Sequence, residues 1–488
     1  MRWIEVVRGT VFDDTFIGDD RYNYFEGLAG NDTIDGGAGY DLVSYAYDAT
    51  YVAGSSGVTV NLQIGKARDG FGDIDTLISI TDVRGTNFAD VLIGNAASNI
   101  FEALAGNDTI NGGAGDFDEI SYLFDAFYGG TSGVTVDLQT GIATDGFGDT
   151  DTLTGIESVK GTNAGDRITG NAEINFFEGL GGDDIFDGGE NLDVVSFAKD
   201  SSNGAMAGVT VNLATGKATD GFGDTDTLTN IEYIRGSESA DMFSGNSEEN
   251  YFEGLAGDDI LHGGAGNDFL YGNAGADQLR AGAGLDRLFI DELDTAIDGG
   301  AGSQDRVIVQ QLASATAGVT VDMAASNVEI AYGNRNDDTF DGSGSAVALS
   351  LYGRGGQDSL IGGAADDRLF GDGNDTSSGD ILNGGAGNDY LHGGTNGASR
   401  WAERDRFVFG DDWGNDRIFD FADNGGEKID FSPVAGITQR SDLTFSDVTD
   451  ASGSYALISY SDAGGWTGTI RVDGVTSAQL QDDDFIFT

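Results

Sequence analysis

Gly27-Leu28-Ala29-Gly30-Asn31-Asp32-Thr33-Ile34-Asp35 runs directly into Gly36-Gly37-Ala38-Gly39-Tyr40-Asp41-Leu42-Val43-Ser44. Both stretches fit G-G-x-G-x-D-x-U-x, where U is a large apolar residue. Further nonapeptides of this kind start at 9 and 18, then at 85, 94, 103 and 112, and again at 161, 170, 179 and 188. A fourth block starts at 236 and continues through 245, 254, 263, 272 and 281. In each copy the first six residues read as a turn, because Gly supplies backbone conformations with φ > 0 that other residues resist. The last three read as a short strand whose middle residue points inward: Ile34, Val43, Phe101, Ile110, Phe186, Val195, Leu261 and Leu270. Two nonapeptides make one right-handed coil of 18 residues, and coils stack at strand spacing, about 4.8 Å. One coil cannot bury its apolar column alone, so several must stack and the ends need caps. The expected fold is an all-β, right-handed parallel β-roll (a β-solenoid) with β inserts and a C-terminal β cap.

A longer period lies over the short one. Block starts at 9, 85, 161 and 236 are 76, 76 and 75 residues apart, each block being followed by an insert of about 40 residues. The insert opens with a G-V-T-V strand at Gly57, Gly133 or Gly208. It continues through an acidic turn, Asp69-Gly70-Phe71-Gly72-Asp73 in the first copy, and closes on a second strand ending at Arg84, Lys160 or Arg235. Ile4 to Arg8 align with that closing strand, so the chain starts near the end of an insert, either within its own repeat or within a longer parent. A fifth G-V-T-V at Gly318 opens a degraded insert, and nonapeptides return near Gly353, Gly362 and Gly384. From about Arg400 the glycines thin out and alternating apolar runs predict a separate, mostly antiparallel cap. The expected divisions are therefore 1–84, 85–160, 161–235, 236–352, 353–399 and 400–488.

Stacking sets each position-six Asp beside the one a coil later, a ladder of carboxylates that repel one another. The 488-residue chain has 83 Asp and Glu against 24 Lys and Arg, a formal net charge of −59. Such a charge argues against nucleic acid and anionic lipid surfaces as partners and demands a counter-ion. Ca²⁺ answers best: it takes six to eight oxygens, carboxylate or carbonyl, in flexible geometry, whereas Mg²⁺ keeps its waters. Softer metals need His, Cys or Met, and here there are 2 His, no Cys and 4 Met. The absence of Cys excludes disulfides and thiolate zinc sites. No run approaches a membrane span, and the first residues lack the apolar stretch of a Sec-type signal peptide.

These nonapeptides resemble the RTX (hemolysin-type) calcium-binding repeat of secreted bacterial proteins. The resemblance implies Ca²⁺ between successive turns, held by position-six Asp and by carbonyls of the glycine region, such as those of Gly254, Gly257, Gly263 and Gly266. Its clearest pairs are Asp14 with Asp32, Asp90 with Asp108, Asp166 with Asp184, Asp241 with Asp259, Asp259 with Asp277, and Asp268 with Asp286. Asn23, Asn99, Asn175 and Asn250 stand at position six of the second nonapeptides. Sites pairing them with Asp41, Asp118 (displaced by one residue), Asp193 and Asp268 are expected to be weaker or empty. Asp358, Asp367, Asp380 and Asp389 fall in a run broken by an insertion at 375–379, which leaves their pairing open.

The last 85–90 residues resemble the C-terminal segment of serralysin-type RTX exoproteins. The resemblance rests on Asp405, Phe407, Phe409, Gly414-Asn415-Asp416, Ile418, Asp420-Phe421, Lys428-Ile429-Asp430 and the ending Asp484-Phe485-Ile486-Phe487. It implies a type I secretion signal, the type I secretion apparatus as a partner, and an extracellular location.

The acidic turns of the inserts read first as structural turns. Their spacing fails the EF-hand loop, since Ile80 stands where its Glu would be, and metal there is the lesser alternative. Arg8, Arg84, Lys160 and Arg235 read as local ion-pair partners. His262 and His392 sit at position nine, facing solvent, with no H-E-x-x-H. No G-x-S-x-G elbow occurs, and paired carboxylates are too many to single out a glycosidase pair. Repeats, inserts and cap account for the whole chain, so a non-catalytic, calcium-folded surface, adhesion or matrix protein is expected. The alternative is the calcium-binding portion of an exoenzyme (protease, lipase or epimerase). Thr10, Thr86 and Thr162, one per period, are too sparse for an ice-binding array.

Overall fold

Most strands of the repeats are only three to five residues long, and the fold follows from stacking them. In the computed structural model, which describes residues 6–48, 56–312, 317–373, 379–394, 404–422 and 426–488, each nonapeptide ends in such a strand. Thr33–Asp35 pairs in parallel with Thr15–Ile17 in the register Phe16↔Ile34. On the opposite face, Asn23–Glu26 pairs in parallel with Val6–Arg8 and Asp41–Ser44. The inward column expected at position eight is sealed: Ile34, Val43, Phe101, Ile110, Val195, Leu261 and Leu270 are 0% exposed. Burying each side chain of this size is worth about 1.5–3 kcal/mol, which is what compensates ordering so many glycines.

The glycines are needed where coils touch. A Cβ on Gly275 (φ +154) would lie 1.7 Å from the carbonyl oxygen of Gly257, and one on Gly266 (φ +118) 2.2 Å from that of Glu248. Position two also takes left-handed φ, and there Leu28, Leu104 and Leu180 adopt it with φ of 67–70°. Left-handed geometry costs such a residue about 1–2 kcal/mol, offset by burying each Leu side chain.

The chain divides into two units, Met1–Met242 and Phe243–Thr488. In the first, every insert holds four strands where the sequence suggests two. They are Thr59–Asn61, Lys66–Arg68, Ile74–Ile78 and Asp82–Arg84 in the first copy. Ile74–Ile78 continues the parallel stack on Thr33–Asp35, Lys66–Arg68 runs antiparallel to it, and Thr59–Asn61 turns back to pair in parallel with Val91–Ile93. The middle strand is hidden in sequence because only Ala67 of Lys66–Arg68 is buried.

In the second unit the expected antiparallel cap from residue 400 is only partly correct. Parallel pairing runs on through Arg406–Val408, Asn415–Ile418 and Lys428–Asp430. The final strand, Phe485–Ile486, lies parallel to Lys428–Asp430. Among the described residues of this unit only Thr444–Asp450, Gly453–Ser461 and Thr467–Asp473 form an antiparallel meander. The alternation misleads because long two-stranded runs look alike whether the neighbouring strand is parallel or antiparallel. Among the described residues no helix is long and apolar enough to cross a membrane.

Candidate metal sites

Each position-six carboxylate sits under the turn of the preceding coil. Asp259 N–H donates to Asp277 Oδ1 at 2.8 Å, and Asp268 N–H to Asp286 Oδ1 at 2.8 Å. The same bond joins Asp14 to Asp32, Asp90 to Asp108 and Asp166 to Asp184, at 2.7–2.8 Å. Asp241 accepts from the amide of Val209, in the G-V-T-V run of the third insert, at 2.6 Å. The Asn positions keep the geometry: Asn23, Asn99, Asn175 and Asn250 donate their amides to Asp41, Asp118, Asp193 and Asp268 at 2.8 Å. The insertion does not break the ladder either. Asp338 donates to Asp358, Asp358 to Asp380 and Asp380 to Asp405, while Asp367 donates to Asp389 and Asp389 to Asp416, all at 2.8–2.9 Å. Residues 374–378 of that insertion lie outside the described residues.

The second oxygen separates two kinds of position. In turns that open with Thr or Ser it is capped locally: Thr86 N–H and Thr162 N–H donate to Asp90 Oδ2 and Asp166 Oδ2 at 2.6 and 2.7 Å. This gives the sparse Thr residues their role. In Asp32, Asp41, Asp108, Asp193, Asp268, Asp277, Asp286, Asp305, Asp358 and Asp389, Oδ2 is buried with no hydrogen-bond partner. Such an oxygen is costly unless protonated or bound to a cation. It folds over the first glycine of its own turn: a Cβ on Gly263 would lie 2.4 Å from Asp268 Oδ2, and one on Gly254 2.2 Å from Asp259 Oδ2. The candidate carbonyls face the same seam, with Gly263 O against Gly245 and Gly257 O against Gly275.

Burial raises these carboxyls. Desolvation, then neighbouring carboxylates, push Asp184 up to about 9, against the amide of Asp166 that lowers it. Asp108 goes to about 9, Asp358 to about 8, and Asp193, Asp268 and Asp389 to about 7, desolvation leading in each. Among the described residues no three Asp, Glu or His side chains converge on one point that would hold a metal. An ion between coils would therefore take one or two carboxylates and draw its other oxygens from glycine-region carbonyls, a donor set that fits Ca²⁺ and not a softer metal.

The sequence reading missed several ladder members. Asp75, Asp151 and Asp226 accept from Asp32, Asp108 and Asp184 at 3.0 Å, and Glu157 and Glu232 accept from Asp118 and Asp193 at 3.0–3.1 Å. The signal was present: Asp151-Thr152-Leu153 repeats the D-x-U of the nonapeptide. The basic residues pair as expected, Arg8 with Glu26, Arg84 with Glu102, and Lys160 with both Glu119 and Glu178.

A parallel roll whose glycine turns stack in register over buried carboxylates defines the class as a β-roll repeat protein. Within it the chain carries RTX-type repeats: the model of the RTX calcium-binding nonapeptide repeat matches residues 8–43, 84–116, 160–195, 230–261, 253–288, 350–377 and 375–396. No curated protein sequence matches the chain. Among solved structures it is similar to the extracellular lipase LipA from Serratia marcescens, at 19% identity and a TM-score of 0.17, over 52% of this chain and 40% of the lipase. The chain thus spans less than half the length of that protein.

Proposed function

We propose that this chain is a secreted calcium-binding protein whose folding is driven by Ca²⁺ at several sites, and that its role is non-catalytic, as a surface, adhesion or matrix component. The carrying observation is the repeated buried Oδ2 without a partner, from Asp32 to Asp389. Where Ca²⁺ is scarce, self-repulsion of these carboxylates keeps the chain loose and suited to export through a type I apparatus. Outside, sites of extracellular type, with Kd of about 10⁻⁴–10⁻³ M, fill and release folding free energy. Circular dichroism of the purified chain during calcium titration, and after chelation, tests the reading. A cooperative gain of β signal with calcium supports it; a chain equally folded in chelator overturns it.

A further inference from the structure

Each insert of the first unit contains a second, different group of buried carboxylates. In the first copy these are Asp48, Asp69 and Asp75, exposed by 2%, 1% and 0%. Asp69 Oδ1 accepts three amides of its own turn, from Phe71, Gly72 and Asp73, at 3.0, 2.7 and 2.7 Å. Asp48 Oδ2 accepts the amide of the adjacent Gly70 at 3.2 Å, and Asp75 takes its place in the ladder under Asp32. Asp125, Asp145 and Asp151 repeat the arrangement, Gly146 N–H donating to Asp125 at 2.9 Å. So do Asp200, Asp220 and Asp226, with Gly221 N–H donating to Asp200 at 3.4 Å. Repulsion between the members adds to burial in raising Asp48, Asp125 and Asp200. Among the described residues none of these carboxylates forms an ion pair with Lys, Arg or His.

Two further observations point to a missing ligand. Asp69 Oδ2, Asp145 Oδ2 and Asp220 Oδ2 are all buried and without a hydrogen-bond partner. In the second copy the hydroxyl of Tyr122, a residue 0% exposed, is also unpartnered, and the groups acting on it are Asp151, Asp125, Asp145 and Asp108. In the first copy the corresponding Tyr45 hydroxyl donates to Asp75 Oδ2 at 3.1 Å. Three chemically equivalent oxygens left bare at one place in three copies are unlike the turn capping seen elsewhere.

We propose that each insert holds a hard divalent cation of its own, Ca²⁺, anchored on the free Oδ2 of Asp69, Asp145 or Asp220 and separate from the sites between nonapeptide turns. Three carboxylates do not converge there, so the ion takes this oxygen and at most one neighbouring carboxylate, its other ligands being carbonyls and water. The choice of ion rests on the calcium reading above, but the atoms are different ones. The acidic turn, read from sequence as structural, would then be both turn and site.

The test is calcium stoichiometry of the full chain by equilibrium dialysis, comparing the unaltered protein with the triple variant D69N/D145N/D220N and with D277N/D286N. Asn keeps the turn-capping oxygen and removes the charge. Loss of three calcium ions from the folded triple variant supports the proposal, and an unchanged count overturns it. If the triple variant does not fold, the anomalous difference map of the unaltered protein crystallised in calcium decides. Density beside Asp69, Asp145 and Asp220 supports the sites, and its absence there, with density between nonapeptide turns, overturns them while leaving the general calcium reading intact. A protein that binds no calcium at all overturns both.

Discussion

The amide of Asp268 donates to Oδ1 of Asp286 at 2.8 Å, while Oδ2 of Asp286 is buried and bonded to nothing. One carboxylate thus joins consecutive coils through one oxygen and keeps the other free of any hydrogen bond, the oxygen that the proposed calcium reading assigns to an ion. Replacing Asp286 with Ala removes both; replacing it with Asn keeps an acceptor and removes the charge. D286A and D277A are expected to raise the calcium midpoint of folding by about tenfold or more, the equivalent of about 1.4 kcal/mol. D286N should lie between D286A and the unaltered chain. Calcium titration followed by circular dichroism reads the order, and an unchanged midpoint for D286A would remove Asp286 from the ligand set.

The raised carboxyls give the metal-free chain a pH dependence of definite sign. Asp108 and Asp184 sit at about 9 and Asp358 at about 8, against 3.8 for an ordinary Asp. The folded state therefore holds protons that the unfolded chain has lost. This contribution is complete below about pH 4 and declines as pH rises through the folded values. In chelator, β signal and thermal midpoint should be higher at about pH 5 than at about pH 8. With calcium the trend reverses, because ligands must lose their protons to bind. A metal-free chain that grows more stable from pH 5 to pH 8 would contradict this.

The coil, its period and its inward column were legible because each nonapeptide repeats the same demand: glycine where coils touch, Asp under the turn, one apolar residue inside. Asp75, Asp151 and Asp226 were not recognised as ladder members because an extra residue shifts the preceding glycines, although their neighbours Thr76-Leu77 keep the strand phase. The hidden strand Lys66–Arg68 lies beyond a pattern reading, since one buried Ala carries little signal. The course of the chain past residue 400 is set by register against earlier coils, as in Leu382↔Phe407, and such long-range pairing is not written in local alternation.

Glycine substitutions separate strain from close approach. Gly223 has φ +95 and open space where a methyl group would stand, whereas Gly266 has φ +118 and a carbonyl oxygen 2.2 Å from that position. G223A should cost only the left-handed penalty, about 1–2 kcal/mol. G266A must also push apart two coils and should cost at least about 3 kcal/mol. Chemical denaturation in saturating calcium measures both; equal losses would show that coil spacing tolerates a methyl group there.

Lys160 offers a test of the enclosed basic residues, because one ammonium meets two glutamates. Its Nζ lies 3.3 Å from Glu119 and 3.0 Å from Glu178, and its side chain is 19% exposed. The three residues come from adjacent strands, Glu119–Ser121, Ser158–Lys160 and Phe176–Glu178, so the ammonium ties three coils. Its pKa is raised, the two glutamates overcoming the desolvation that opposes the charge. K160M keeps the packing of the stem but leaves two carboxylates facing each other without a counter-charge. The expected loss is about 3 kcal/mol, the order found when one partner of an enclosed ion pair is removed. The double substitution K160M/E119Q should recover part of that loss, because one of the stranded charges is gone. If K160M alone were neutral in thermal denaturation, the stacking of coils would not depend on this pairing.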